Sequence, residues 1–268
     1  MKILLTDLDD TLLNSDKTIS AGNRQAIDDL LEAGHYFSIC TGRSLTGGMV
    51  VAKELQLNRK NCFLIAYQGC VIYDLYQQKT INEQFLNPHH AIELMSMFRE
   101  LQIHTHSYRR GELLVFEDDK ELQRYRSITK DAFVTVPNME YLQDQNMYKV
   151  IAIDFDQPER LHQFVSDHKD FLNQNFNYFF SSPYYLEFVA KDCGKGVGAL
   201  NLADYLGVAH SDVIACGDEQ NDISMIQAAG IGVCMQNGRP EVKAVADYIT
   251  TLDNNHDGIA EVIHKFVL

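Results

Sequence analysis

Two aspartates stand two residues apart at the end of an apolar run: Lys2-Ile3-Leu4-Leu5-Thr6-Asp7-Leu8-Asp9-Asp10-Thr11. Side chains at i and i+2 of a strand share a face, so Asp7 and Asp9 leave the strand end pointing the same way. Two converging carboxylates repel each other unless a cation sits between them, and carboxylate oxygens are the hard ligands that Mg²⁺ prefers. One of the pair can attack as a nucleophile while the other handles a proton. Taken alone, the pair also describes an ordinary solvated turn.

Further segments weigh against the plain turn. Ser38-Ile39-Cys40-Thr41-Gly42-Arg43 is a short apolar strand ending in a hydroxyl, a glycine and a cation. Cys193-Gly194-Lys195-Gly196 sets a lysine between glycines ahead of an apolar helix. A lysine there opposes the helix dipole, a cost that favours a functional reason. Val213-Ile214-Ala215-Cys216-Gly217-Asp218-Glu219-Gln220-Asn221-Asp222 is another strand running into acids. Ligands of open α/β sheets bind outside the carboxyl ends of the strands. Together these segments supply what phosphoryl transfer requires: a nucleophile, a metal site, and donors or cations for phosphate oxygens.

With these residues the chain resembles the haloacid dehalogenase superfamily phosphatases, of the Cof-type subgroup with a type IIB cap. Asp7-Leu8-Asp9-Asp10-Thr11 matches D-x-D-x-T, Thr41 the hydroxyl of the second motif, Lys195 the lysine of the third, and Gly217-Asp218-Glu219-Gln220-Asn221-Asp222 matches G-D-x-x-N-D. The resemblance covers residues 1–268. It implies that Asp7 is the nucleophile, forming an aspartyl phosphate, and that Asp9 is general acid and then base. It implies Mg²⁺ held by the Asp7 side chain, the Asp9 backbone carbonyl and Asp218, with Asp222 binding directly or from behind. Thr41 and Lys195 join the catalytic set and, with Gly42, Arg43 and Asn221, bind phosphate or substrate. Asn221 is expected to orient Lys195 or the phosphate, Thr11 to fix the turn beneath Asp7, and Asn237 to pin its own loop. Asp10 stands where many relatives carry glycine, and its side chain should face away from the metal. The implied substrate is a small phosphorylated metabolite, sugar phosphates foremost. A phosphosugar mutase on the same scaffold and a noncatalytic metabolite-binding regulatory protein are the rival readings.

Strands alternating with helices at both ends of the chain predict an α/β fold, a Rossmann-like parallel-sheet core with helices on both faces. Ile3–Leu8, Tyr36–Cys40, Phe63–Ala66, Val213–Cys216, Ile231–Met235 and Tyr248–Thr250 read as its strands, with a hairpin-like Cys70–Tyr73. Between about residues 83 and 190 the rhythm changes to helix–strand–strand, twice. This predicts an antiparallel α+β cap inserted in a discontinuous core of residues 1–82 and 191–268. Within the insert, one helix is expected from Pro158 to about Leu172, and His104 and His106 are expected on a half-exposed strand face.

Composition sets outer limits. The 268 residues are 46% hydrophobic, and the formal charge of −14 argues against nucleic-acid or anionic-membrane binding, whose footprint is basic. No apolar run approaches the ~20 residues that span a bilayer. The six cysteines form no C-x-x-C, and no cationic, apolar leader precedes the acids, which together predict a reducing cytoplasm. Oligomeric state has no signature. Gly194-Lys195 is not a Walker A loop, because Val189 stands where the first glycine belongs and Gly196 where Ser or Thr belongs.

Overall fold

The computed structural model describes residues 1–268. In chain order the elements are β1 (Ile3–Thr6), α1 (Ala21–Glu32), β2 (Tyr36–Cys40), α2 (Leu45–Glu54), β3 (Cys62–Ala66), β4 (Val71–Asp74), β5 (Lys79–Glu83), α3 (Pro88–Glu100), β6 (His104–Arg109), β7 (Glu112–Val115), α4 (Lys120–Thr129), β8 (Ala132–Thr135), β9 (Lys149–Ile153), α5 (Glu159–Asp167), α6 (Lys169–Asn175), β10 (Phe176–Ser182), β11 (Tyr185–Ala190), α7 (Lys195–Leu206), β12 (Val213–Gly217), α8 (Ile223–Ala228), β13 (Ile231–Cys234), α9 (Pro240–Lys243), β14 (Tyr248–Ile249) and α10 (Gly258–Phe266). They fall into two compact units: Met1–Arg43, Gly48–Glu83 and Gly194–Leu268 in one, Ser44–Gly47 and Gln84–Cys193 in the other. No helix is long and apolar enough to cross a membrane.

The first unit holds an eight-stranded sheet in the order β14-β13-β12-β1-β2-β3-β4-β5. From β14 to β3 all pairs are parallel, with Ile3 opposite both Val213 and Tyr36. The chain runs outward one way from β1 and the other way from β12, so the switch point lies between these neighbours, where such sheets bind ligands. Ile3, Leu5, Val213 and Ala215 pack with Ala199, Leu202 and Ala203 of α7 and Met225 of α8, while α1 packs on β2 and α10. The sheet is not wholly parallel: β4 and β5 add antiparallel at one edge. The turn Tyr67–Gly69 joining β3 to β4 is too short for a crossover. Strand β5 reads Lys-Thr-Ile-Asn-Glu and is half-exposed, so no apolar run announces it. Strand β1 ends at Thr6, short of the expected Leu8. The Asp7 N–H makes one more bond, to the Cys216 carbonyl (3.0 Å), and Leu8–Leu12 then winds into a wide turn with Asp10 at φ 58°.

The second unit holds a six-stranded sheet in the order β10-β11-β9-β6-β7-β8. One face carries Leu114, Val150, Leu186 and Phe188 into a core with Leu94 and Phe98 of α3, Phe164 of α5 and Leu172 of α6. The expected all-antiparallel pattern fails at β7–β8, which is parallel because α4 provides a crossover between them. The expected helix 158–172 breaks at His168 (φ −118°, ψ 21°) into α5 and α6. His104 is partly exposed as a residue, with its side chain mostly covered, but His106 does not fit the half-exposed face. His106 is fully buried, with its ring 5.1 Å from that of Tyr125 on α4. His104 bridges Asp119 (2.6 Å) and His106 (2.9 Å). The sequence spacing placed both on one face but not the helix that covers them.

Candidate active site

The acids and the lysine converge within the first unit, where β1 and β12 end and α7 begins. The Lys195 ammonium donates to Asp7 Oδ1 and to Asp222 Oδ1, both at 2.6 Å. It is buried, 2% exposed. Glycine at 196 allows this start of α7 to lie against α8, since a Cβ there would stand 2.3 Å from the Ser224 carbonyl oxygen. Burial pulls the lysine toward neutrality, but the Asp222 and Asp7 carboxylates outweigh it and hold the ammonium charged.

Carboxylate oxygens of Asp7, Asp218 and Asp222 lie within 4.8 Å of one another. Burial pushes Asp7 up to about 7, against the pull of Lys195 and with repulsion from Asp222 and Asp9. Burial pushes Asp218 up to about 8, helped by Asp7 and Asp222. A single ammonium thus leaves the cluster short of positive charge, and its donors are all hard oxygens. Both facts fit a divalent cation. The Asp222 carboxylate is already engaged: besides Lys195 it accepts the N–H groups of Asp218 (3.0 Å) and Glu219 (3.1 Å). That makes Asp222 the holder of the lysine and of the Asp218 turn.

One expectation needs correcting here. Thr11 does not brace the turn beneath Asp7; its hydroxyl donates to Asp218 Oδ1 (2.5 Å). Asn221 Nδ2 donates to Gln68 Oε1 (3.3 Å), while Asp7 and Asp222 hold Lys195, so of the two partners expected for Asn221 the phosphate is the one left open.

Asp9 lies apart from the cluster. The Arg43 guanidinium grips it with two bonds, Nε at 3.0 Å and Nη2 at 2.7 Å, and Lys17 stands 3.0 Å away. Burial would raise its pKa, but Arg43 and then Lys17 outweigh that and hold the carboxyl below its ordinary value. Thr41 is buried, and its Oγ1 accepts the Arg43 N–H (3.2 Å), so it shapes the turn that presents Arg43. Asn237 pins more than its own loop: its Nδ2 donates to the Asp10 carbonyl (2.8 Å). Its Oδ1 accepts the N–H of Asn254 (3.1 Å), whose Nδ2 donates to the Leu13 carbonyl (3.0 Å). Asn254 and Gln68 went unnoticed in the sequence, where no spacing marks them.

The family model for haloacid dehalogenase-like hydrolases matches residues 4–263. The 5-amino-6-(5-phospho-D-ribitylamino)uracil phosphatase YcsE of Bacillus subtilis is 29% identical, over 100% of this chain and 96% of its own. A haloacid dehalogenase-like hydrolase from Bacteroides thetaiotaomicron has a solved structure with a TM-score of 0.86 and 30% identity, covering 98% of each chain. The subclass IIB sugar phosphatase BT4131 shares the fold, with a TM-score of 0.84 at 19% identity over 99% of each chain. The chain belongs to the haloacid dehalogenase-like hydrolases, and it is an enzyme of their phosphatase kind.

Proposed function

We propose that the protein is a Mg²⁺-dependent phosphatase that hydrolyses small phosphorylated metabolites, sugar phosphates foremost, through an aspartyl phosphate on Asp7. The observation that carries this is the buried cluster of Asp7, Asp218 and Asp222 around one lysine. An Asp7 oxygen attacks phosphorus and forms the new P–O bond as the bond to the metabolite's oxygen breaks. Asp9 gives its proton to that leaving oxygen. It then takes a proton from the water that attacks the phosphoenzyme, which frees Asp7 and inorganic phosphate. Splitting the hydrolysis this way uses one carboxylate as nucleophile and the other as proton carrier. Thr41, Gly42, Arg43, Lys195 and Asn221 line the phosphate side.

Asp7, Asp218 and the Asp9 carbonyl would hold Mg²⁺, with Asp222 behind them, and the ion would offset charge on the phosphoryl oxygens. In the present arrangement Asp9 is committed to Arg43. Proton delivery therefore requires the guanidinium to release it, and an arriving phosphate is a competing partner for the same fork. Residues 83–190 are the cap, which selects the substrate through remote binding energy. YcsE acts on a phosphate carried by a ribityl chain, and BT4131 on sugar phosphates, which supports a polyol-like leaving group. The six buried cysteines, none in a disulfide, support a cytoplasmic setting.

A panel of phosphorylated metabolites, assayed with Mg²⁺ and with EDTA, tests the proposal. Wild type should release phosphate only with Mg²⁺, and Asp7→Asn should fold but turn over nothing. Isomerised sugar phosphate without free phosphate would establish the mutase instead. Substantial turnover by Asp7→Asn would overturn the covalent route.

A further inference from the structure

Gln68 closes the gap between two loops of the site. It follows β3 on a turn where Tyr67, Gln68 and Gly69 have φ of 49°, 59° and 99°. Left-handed backbone at two consecutive residues with side chains persists only where the surroundings hold it, and such strain gathers at functional sites. The Gln68 N–H donates to the Thr41 carbonyl (3.1 Å), and its Oε1 accepts Asn221 Nδ2 (3.3 Å). A Cβ on residue 42 would stand 2.4 Å from Gln68 Nε2. Glycine is therefore what lets the amide lie against the Thr41-Gly42-Arg43 segment.

The other end of the amide is unspent. Gln68 is 1% exposed, and its Nε2 has no acceptor. A buried amide donor left unpaired forfeits its hydration for nothing, and native proteins seldom keep one without a reason. Packing does not supply one, because methionine has the same reach without a polar tip. The neighbours on both sides, Gly42 and Asn221, belong to the loops that face the phosphate in the reading above.

We propose that Gln68 is a ligand-contacting residue, whose Nε2–H donates to an oxygen of the bound phosphoric ester when binding draws the Gly42 segment aside. This rests on the phosphatase reading. It deepens that reading by adding a neutral donor for an anionic oxygen, on a strand end that none of the recognised motifs includes.

The test compares wild type, Gln68→Met, Gln68→Glu and Asn221→Ala in the full chain. It uses p-nitrophenyl phosphate turnover with Mg²⁺, inhibition by inorganic phosphate, and thermal melting. Gln68→Glu keeps the acceptor for Asn221 but replaces the donor by a carboxyl that, once ionised, also repels phosphate, so the contact itself is read from the neutral Gln68→Met. Hydrogen bonds to charged groups are among the stronger ones, so KM and the phosphate inhibition constant should rise roughly tenfold to a hundredfold in both Gln68 variants. Melting temperature should change little in Gln68→Met, which removes the orphaned Nε2 donor but also takes the acceptor from Asn221 Nδ2. Unchanged KM and phosphate inhibition in an active Gln68→Met or Gln68→Glu would overturn the inference. So would a loss confined to melting temperature and matched by Asn221→Ala, since that is a structural tie. A wild type that neither hydrolyses the ester nor binds phosphate would sink the phosphatase reading itself, which an inert Gln68 would leave standing.

Discussion

Replacing Asp218 by Asn should make the metal-free protein more stable while destroying its response to Mg²⁺. The folded protein holds the Asp218 proton up to about pH 8, against an ordinary 3.8. Between those values the unfolded chain has lost the proton and the folded chain keeps it. Stability contributed by this group is therefore present below about pH 4 and falls as pH rises to about 8. One unit is about 1.4 kcal/mol, so the gap of about three units at pH 7 sets an upper bound of about 4 kcal/mol. Asp7, itself pushed up to about 7, takes up protons over the same range and relieves part of the repulsion on Asp218, so the expected gain is about 2–4 kcal/mol. Asn keeps an Oδ1 to accept the Thr11 hydroxyl, so little is lost in exchange. For a chain of this size that gain raises the melting temperature by roughly 5–15 °C. The assay is thermal melting in EDTA at pH 4 to 8, wild type against Asp218→Asn, then repeated in Mg²⁺. The difference should be near zero at pH 4 and grow with pH. Mg²⁺ at a hundred times its Kd should then stabilise wild type by about 2.7 kcal/mol and leave the variant unmoved. A variant that melts at or below wild type in EDTA at pH 8 would refute the reasoning, because the cluster would then not be short of positive charge.

Other substitutions probe neighbouring links. Arg43→Ala removes the cation that depresses the Asp9 pKa. If Asp9 is the proton donor, the basic limb of the kcat/KM profile should move to higher pH, and an unmoved limb would separate Arg43 from the acid. Lys195→Met leaves buried carboxylates without their partner, which should cost about 3–5 kcal/mol at pH 8. The loss should shrink at pH 5, where Asp7 can take up a proton, and equal losses at both pH values would contradict the raised Asp7 pKa. Asn254→Ala strips the Leu13 carbonyl of a buried donor and should cost about 1–3 kcal/mol. Because Leu13 closes the Leu8–Leu12 turn after Asp7, with its N–H on the Leu8 carbonyl (2.8 Å), Mg²⁺ affinity measured by titration should fall as well, and unaltered affinity would confine Asn254 to stability.

Where the candidate site lies is readable from local pattern. Asp7 and Asp9 follow an apolar run, Lys195 opens an apolar helix between glycines, and Asp218 ends another apolar run. Each is a property of a few neighbouring residues, set by strand and helix periodicity. The same local logic located β2, β3, β12 and β13, whose apolar runs are buried on both faces. It failed for β5 and for β8, edge strands whose exposed residues need no hydrophobic pattern. It also failed for the break at His168, because backbone dihedrals at one residue leave no mark on the spacing of Leu161, Phe164 and Leu172.

How the site residues are tied together was decided only by the tertiary structure. Arg43 grips Asp9 across 34 positions, Thr11 reaches Asp218 across 207, and Asn254 holds Leu13 across 241. No local signal encodes such partners, since they meet only after β12 has paired with β1 and the chain's last third has closed on its first turn. The shared burial that raises Asp7 and Asp218 arises the same way. A carboxylate's pKa depends on which groups surround it in space, and folding brings those groups from distant parts of the chain.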